Sequence, residues 1–148
     1  MLDEKRLNLK APKFEQFLKE NKLNFFEKSV EDDDADTVVF KSNLKVEGQI
    51  IPFGIITDNT IYTIIRVPLG DNLVKDTNRE SFMAYLNKLN RSYKVFKYMA
   101  DDDGSVYLDS CIPCSNDSFD PSTVRVVLDV IVDHLNTEYK NIMKHAWN

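Results

Sequence analysis

Two adjacent apolar stretches, residues 49–57 and 60–69, meet at Asp58-Asn59 and limit the fold of this chain more than any other feature. Each is rich in β-branched residues, so the pair reads as a β-hairpin with a two-residue connection. Side chains alternate across a strand. Ile51, Phe53 and Ile55 therefore share one face of the first strand, and Ile50, Pro52, Gly54 and Ile56 share the other. On the second strand Ile61, Ile65 and Val67 lie opposite Tyr62 and Ile64. Both faces carry apolar groups. A sheet with one wet face alternates more cleanly, so part of the second face is expected to be covered, by helices or by a partner chain. Pro52 lacks a ladder donor and implies an edge or a bulge.

The flanking segments set the element order. Phe14, Phe17 and Leu18 behind Pro12 give a short amphipathic helix over residues 12–21. Extended segments are expected at 24–30 and 36–46, separated by the acidic turn 31–34. Thr77 and Glu80 have the spacing of a capping box and open a helix that carries Phe82, Tyr85, Leu86 and Leu89. Strands at 93–100 and 105–112 follow, joined by the turn Asp101-Asp102-Asp103-Gly104. Asp120-Pro121 then caps a long helix with Val124, Val127, Leu128, Ile131, Leu135, Tyr139 and Ile142 on its stripe. The order is α-β-β-β-β-α-β-β-α. Strands in runs joined by short turns point to an α+β fold, an antiparallel sheet with segregated helices, in a single domain spanning 1–148.

Charge and cysteine usage narrow the function classes. A net charge of -5 disfavours broad contact with phosphate backbones, so no nucleic-acid partner is expected. No apolar run reaches signal-peptide or membrane-span length, which makes a cytoplasmic protein with no membrane contact the expectation. Two cysteines are too few for a disulfide-stapled secreted scaffold.

No residue pattern in the sequence assembles a recognisable catalytic constellation. Cys111-Ile112-Pro113-Cys114 is a CxxC pair, able in principle to cycle between thiol and disulfide or to offer two thiolates to zinc. It follows a strand and lies several residues before the Asp120 cap, so no helix dipole activates it, and no second pair completes a metal set. The two histidines, His134 and His145, fall about 16 Å apart along one helix and cannot share a metal or a nucleophile. Both read as helix-surface residues. The acidic turns lack the calcium-loop pattern, and the four glycines are too scattered to cradle a phosphate. In the segment from Tyr93 to Tyr98, aromatics alternate with lysines, but neither face gathers both as a stacking platform requires. The chain is expected to be no enzyme and to need no cofactor or metal.

The stretch from Phe82 to Asn90, which leads into YKVFKYMADDDGSVYLDSCIP and the long last helix, resembles the YbjN-like family, described as bacterial sensory transduction regulators. Through that family it also resembles the type III secretion chaperone-like fold. The matching details are Asn90 at the helix end, the acidic turn closing on Gly104, and the strand exit Ile112-Pro113. The resemblance implies a small acidic protein-binding domain that forms homodimers and has no catalytic residues to carry over. The segment at 24–30 is an addition to the simplest chaperone arrangement, and the cysteine pair is no feature of the family pattern. The expectation is thus a non-enzymatic interaction module, chaperone-like or regulatory, paired with itself and binding a further protein. Ile50, Ile56, Tyr62 and Ile64 are its expected contact residues. The alternative is a thiol redox or metal-binding protein using Cys111 and Cys114.

Overall fold

The structure is a computed structural model and describes residues 6–147. Helix α1 spans Lys10–Glu20, two residues ahead of the expected start. Its opening is set by Asn8, whose buried Oδ1 accepts hydrogen bonds from the Lys10 and Ala11 amides, both at 3.1 Å. These are orphan first-turn donors that no helical carbonyl can reach. Pro12 sits inside that first turn, where a missing N–H costs nothing. Lys10 is fully buried. Its ammonium donates to the carbonyls of Thr60 at 2.9 Å and Tyr62 at 2.5 Å, fastening α1 to the start of a strand. Burial lowers the Lys10 pKa, and the nearby Asp58 carboxylate works against that shift.

Strands β1 (Glu27–Val30), β2 (Val38–Val46), β3 (Gln49–Thr57) and β4 (Tyr62–Gly70) come next, followed by helix α2 (Arg79–Ser92). Strands β5 (Lys97–Ala100) and β6 (Val106–Pro113) precede the long helix α3 (Pro121–Trp147). The element order and the α+β class are as the sequence implies. All six strands form one antiparallel sheet in the order β1-β2-β3-β4-β6-β5.

The central hairpin departs from expectation in two ways. Its connection is residues 58–61, four rather than two, because local bonds hold it open. Asn59 donates its amide to the carbonyl of Ala35 in the neighbouring loop at 2.8 Å, and Asp58 Oδ1 accepts from the Thr60 amide at 2.8 Å. Pro52 is not at an edge, since β3 lies between β2 and β4. The missing donor is accommodated differently. Register between β3 and β4 runs only from Gly54 opposite Arg66 to Ile56 opposite Ile64. Extending it places Pro52 across from Pro68, just where pairing stops. The sheet's irregularity lies between β4 and β6, at Pro68/Gly70.

All three helices pack on one face of the sheet. Phe40, Val46, Phe53, Ile55, Ile65, Val67 and Leu108 form a single buried cluster with Phe14 of α1, Phe82 and Leu86 of α2, and Ile131, Leu135 and Ile142 of α3. Asp120 opens α3 as expected, its Oδ1 accepting from the Ser122 amide at 3.0 Å. The Thr77 capping box does not form. Asn78 is the N-cap residue of α2, and its buried amide group donates to the carbonyls of Leu73, His145 and Ala146. That contact satisfies the carbonyl end of α3, a stronger demand than Thr77 meets from its exposed position. Strand β5 begins at Lys97 instead of Tyr93, since Tyr93 terminates α2. Asn90 fixes this junction, accepting from the Tyr98 amide at 2.7 Å and donating to its carbonyl at 3.1 Å.

His134 also departs from expectation. It is 4% exposed, walled by Tyr93, Phe96 and Tyr98, with its Nε2 2.5 Å from the Tyr98 hydroxyl. Burial pushes its pKa down to about 4, and Glu138 only partly opposes this. His145 is half-buried, stacked on Tyr85 with ring centroids 3.9 Å apart.

Candidate interaction face

The second sheet face has no helix over it among the described residues, so the expected cover from within the chain is missing. Its side chains fall into rows set by the strand registers. One row is apolar: Val39 lies opposite Ile56, Ile56 opposite Ile64, and Ile64 opposite Cys111. Tyr62, opposite Pro113 and 47% exposed, extends this patch. The next row is polar: Glu27, Lys41, Gly54, Arg66 and Asp109 stand side by side across five strands.

Arg66 and Asp109 are joined by a two-pronged ion pair, Nε to Oδ1 at 2.9 Å and Nη2 to Oδ2 at 2.8 Å. The guanidinium also lies over the Tyr107 ring, 4.9 Å from its centroid. This fork and stack hold Arg66 in one pose. Beside it Gly54 leaves a gap in the layer of side chains. A shallow basin of about 510 Å³ opens there, lined by Val39, Lys41, Pro52, Ile56, Arg66 and Pro68 among others.

Three of the four expected contact residues come together: Ile56, Tyr62 and Ile64 share the apolar patch. Ile50 lies on the same face at the far end of β3, opposite Lys45, and is 73% exposed. The basin residues Lys41, Gly54 and Arg66 escaped the sequence reading. Alternation alone puts Arg66 on the face of Tyr62 and Ile64, but its pairing with Asp109 spans 43 residues and has no local signal.

Cys111 and Cys114 are both free thiols. Cys111 is exposed on the open face, whereas Cys114 packs against the core, its amide bonded to the Ile61 carbonyl at 2.6 Å. Burial and the Asp109 carboxylate raise the Cys111 thiol above its usual pKa, with Lys10 pulling weakly the other way. That environment suppresses the thiolate that redox or metal chemistry needs. No cluster of three or more His, Cys, Asp or Glu side chains suited to a metal occurs among the described residues.

Residues 13–142, from α1 to the last turns of α3, match the YbjN family, described as "Putative bacterial sensory transduction regulator". The chain belongs to the YbjN family. No curated protein matches it. In this YbjN chain the three resembling details have structural work: Asn90 docks β5, Ile112-Pro113 ends β6, and Gly104 closes the acidic turn. Gly104 has φ +85°, and its carbonyl accepts from the Leu73 and Val74 amides at 2.9 and 3.0 Å. No described helix is long and apolar enough to cross a membrane.

Proposed function

We propose that this YbjN-family protein is a non-catalytic, cytoplasmic interaction module, chaperone-like or regulatory. It docks proteins on its open sheet face and pairs with a second copy when no other partner is present. The observation that carries the reading is the one-sided packing: three helices on one face, and on the other an apolar patch in which Tyr62 is exposed and Ile56 and Ile64 are half-buried with no helix over them among the described residues. Exposed apolar surface continuous over several strands is costly in water and is characteristic of docking sites. The family's description as regulators supports the same class of role. Both histidines are engaged in ring packing and the Cys111 thiol is disfavoured as a thiolate, which supports a role without catalysis. Free thiols suit a reducing compartment.

Light scattering over a range of concentrations, with and without reductant, tests the pairing. Wild type should give a dimer mass insensitive to reductant. Ile64→Asp should give a monomer with an unchanged far-ultraviolet circular dichroism spectrum. A wild-type monomer throughout the micromolar range overturns the pairing, and a dimer that persists in Ile64→Asp puts the contact elsewhere. Should Ile64→Asp unfold, Tyr62→Asp at the more exposed neighbour makes the same test.

A further inference from the structure

A separate hollow lies on the helix side of the sheet, where α1, α3 and the connection from α1 to β1 meet over Ile55 of β3. The chain makes it by reversing sharply at the end of α1. Lys22 takes a left-handed φ of +55°, its amide donates to the Lys19 carbonyl at 3.2 Å, and the Leu23 amide donates to the Leu18 carbonyl at 2.8 Å. This bond pair closes the helix end and brings Leu23 to the same hollow as Leu18. Phe25 and Phe26 follow, with the Phe25 carbonyl held by the Ser42 hydroxyl at 2.8 Å. Four rings therefore line one space. Phe26 meets Phe14 edge to face with centroids 6.0 Å apart, Phe17 stands 6.2 Å from Phe14, and Phe25 stands 5.2 Å from Phe26. The space between them and α3 is about 160 Å³.

We propose that this hollow is a binding site for a small neutral aromatic molecule of one ring. Its size and walls select that occupant. A protein cavity of roughly 150 Å³ lined by Leu, Ile and Phe stays dry and takes up benzene. Here every lining side chain but Arg125 and Asp129 is aliphatic or aromatic. The buried polar atoms without a partner among the described residues belong to Thr63, Asn116 and His134, none of which lines the hollow. Water inside therefore finds no buried polar partner, while a ring restores the dispersion contacts that the bare walls lack. Arg125 and Asp129 are exposed, of opposite charge and one turn apart on α3, so together they offer a charged ligand no net attraction. Such a ligand would also give up its hydration on entry. Edge-to-face contact, already adopted by Phe14 and Phe26, is the arrangement a further ring extends. Phe25, 61% exposed, is the surface that the ligand covers. The site is independent of the open sheet face, and a molecule seated in it ties α1 to α3.

The test titrates fluorobenzene into the full-length protein carrying ¹³C-labelled isoleucine and leucine methyl groups, followed by NMR. The ¹⁹F line should broaden saturably, and the methyl signals of Ile55 and Leu128 should shift while that of Ile64 stays in place. Toluene should displace the probe, whereas benzoate and benzylammonium should need roughly tenfold higher concentrations or fail to displace it. Saturating fluorobenzene should raise the melting temperature by roughly 1–3 °C. Leu128→Trp, which fills the hollow from α3, should abolish binding with circular dichroism unchanged, and Leu23→Trp does the same from the opposite wall should the first variant unfold. Absence of saturable binding up to the solubility of the probe overturns the proposal. Methyl shifts centred on Ile56 and Ile64 also overturn it, because the probe then sits on the open face, whose docking role stands. Benzoate that competes as well as toluene refutes the neutral class of ligand.

Discussion

His134 offers the sharpest quantitative test of the packing. Its ring lies among Tyr93, Phe96 and Tyr98 at 4% exposure, and burial takes its pKa down to about 4 from the ordinary 6.5. Above pH 6.5 the imidazole is neutral in both folded and unfolded chains and adds no pH dependence. Between 6.5 and 4 the unfolded chain takes up a proton that the folded chain refuses, so stability falls as the pH drops through this window. Below about 4 both states are charged and the loss levels off. A shift of this size corresponds to about 3 kcal/mol across the window. Other titrating groups contribute as well, so the His134→Gln variant is the control. Gln keeps a polar partner for the Tyr98 hydroxyl but cannot titrate. Urea unfolding at a series of pH values from 7 to 4 should show the wild type losing about 3 kcal/mol more than the variant. A stability difference between the two that stays constant from pH 7 to 4 would refute the argument, because it would mean that the folded protein lets the ring protonate freely.

Two further outcomes follow from the same structure. Gly104→Ala combines a left-handed φ of +85° with a Cβ 2.3 Å from the Val74 carbonyl oxygen, so it should cost about 2–4 kcal/mol and lower the melting temperature by roughly 5–15 °C in calorimetry. A melting temperature within a degree of wild type would show that the turn relaxes without strain. Cys111, with its thiol raised by burial and Asp109, should react with iodoacetamide at pH 8 several-fold more slowly than an unstructured peptide cysteine. Alkylation faster than the peptide would reopen a redox role for the cysteine pair.

Periodicity made much of this fold legible, and the tertiary bonds that it could not read account for the departures. Strand β3 occupies residues 49–57 as alternation requires, and the Asp120-Pro121 start of α3 needs only its own local signal. The Asp58-Asn59 turn failed because Asn59 is recruited by Ala35, a residue in another loop. The Thr77 box failed because Asn78 answers to the end of α3, 67 and 68 residues away. His134 looked like a surface residue on a helix until β5 brought Phe96 and Tyr98 against it. The apolar part of the candidate face was readable, since alternation groups Ile50 with Ile56 on β3 and Tyr62 with Ile64 on β4, and the register of the two strands then brings Ile56 beside Ile64. Its charged part was not. Placing Lys41 and Arg66 on either side of Gly54 needs the register of three strands, and pinning Arg66 needs β6 to enter the sheet beside β4.

The short ladder between β3 and β4 has a mechanical consequence. The hydrogen-bonded register that joins the ribbon β1-β2-β3 to the ribbon β4-β6-β5 covers three residue pairs, Gly54 to Ile56 opposite Arg66 to Ile64, although β3 and β4 lie alongside each other beyond it. The helices bind the two ribbons from beneath, so the sheet resembles a book with a stiff cover and a short line of stitching. The basin straddles the stitching, with Pro52 and Gly54 from one ribbon and Arg66 and Pro68 from the other. Anything seated there grips both leaves at once. Its arrival would register as reduced flexing of the whole sheet, and amides in β5 would sense an event that does not touch that strand.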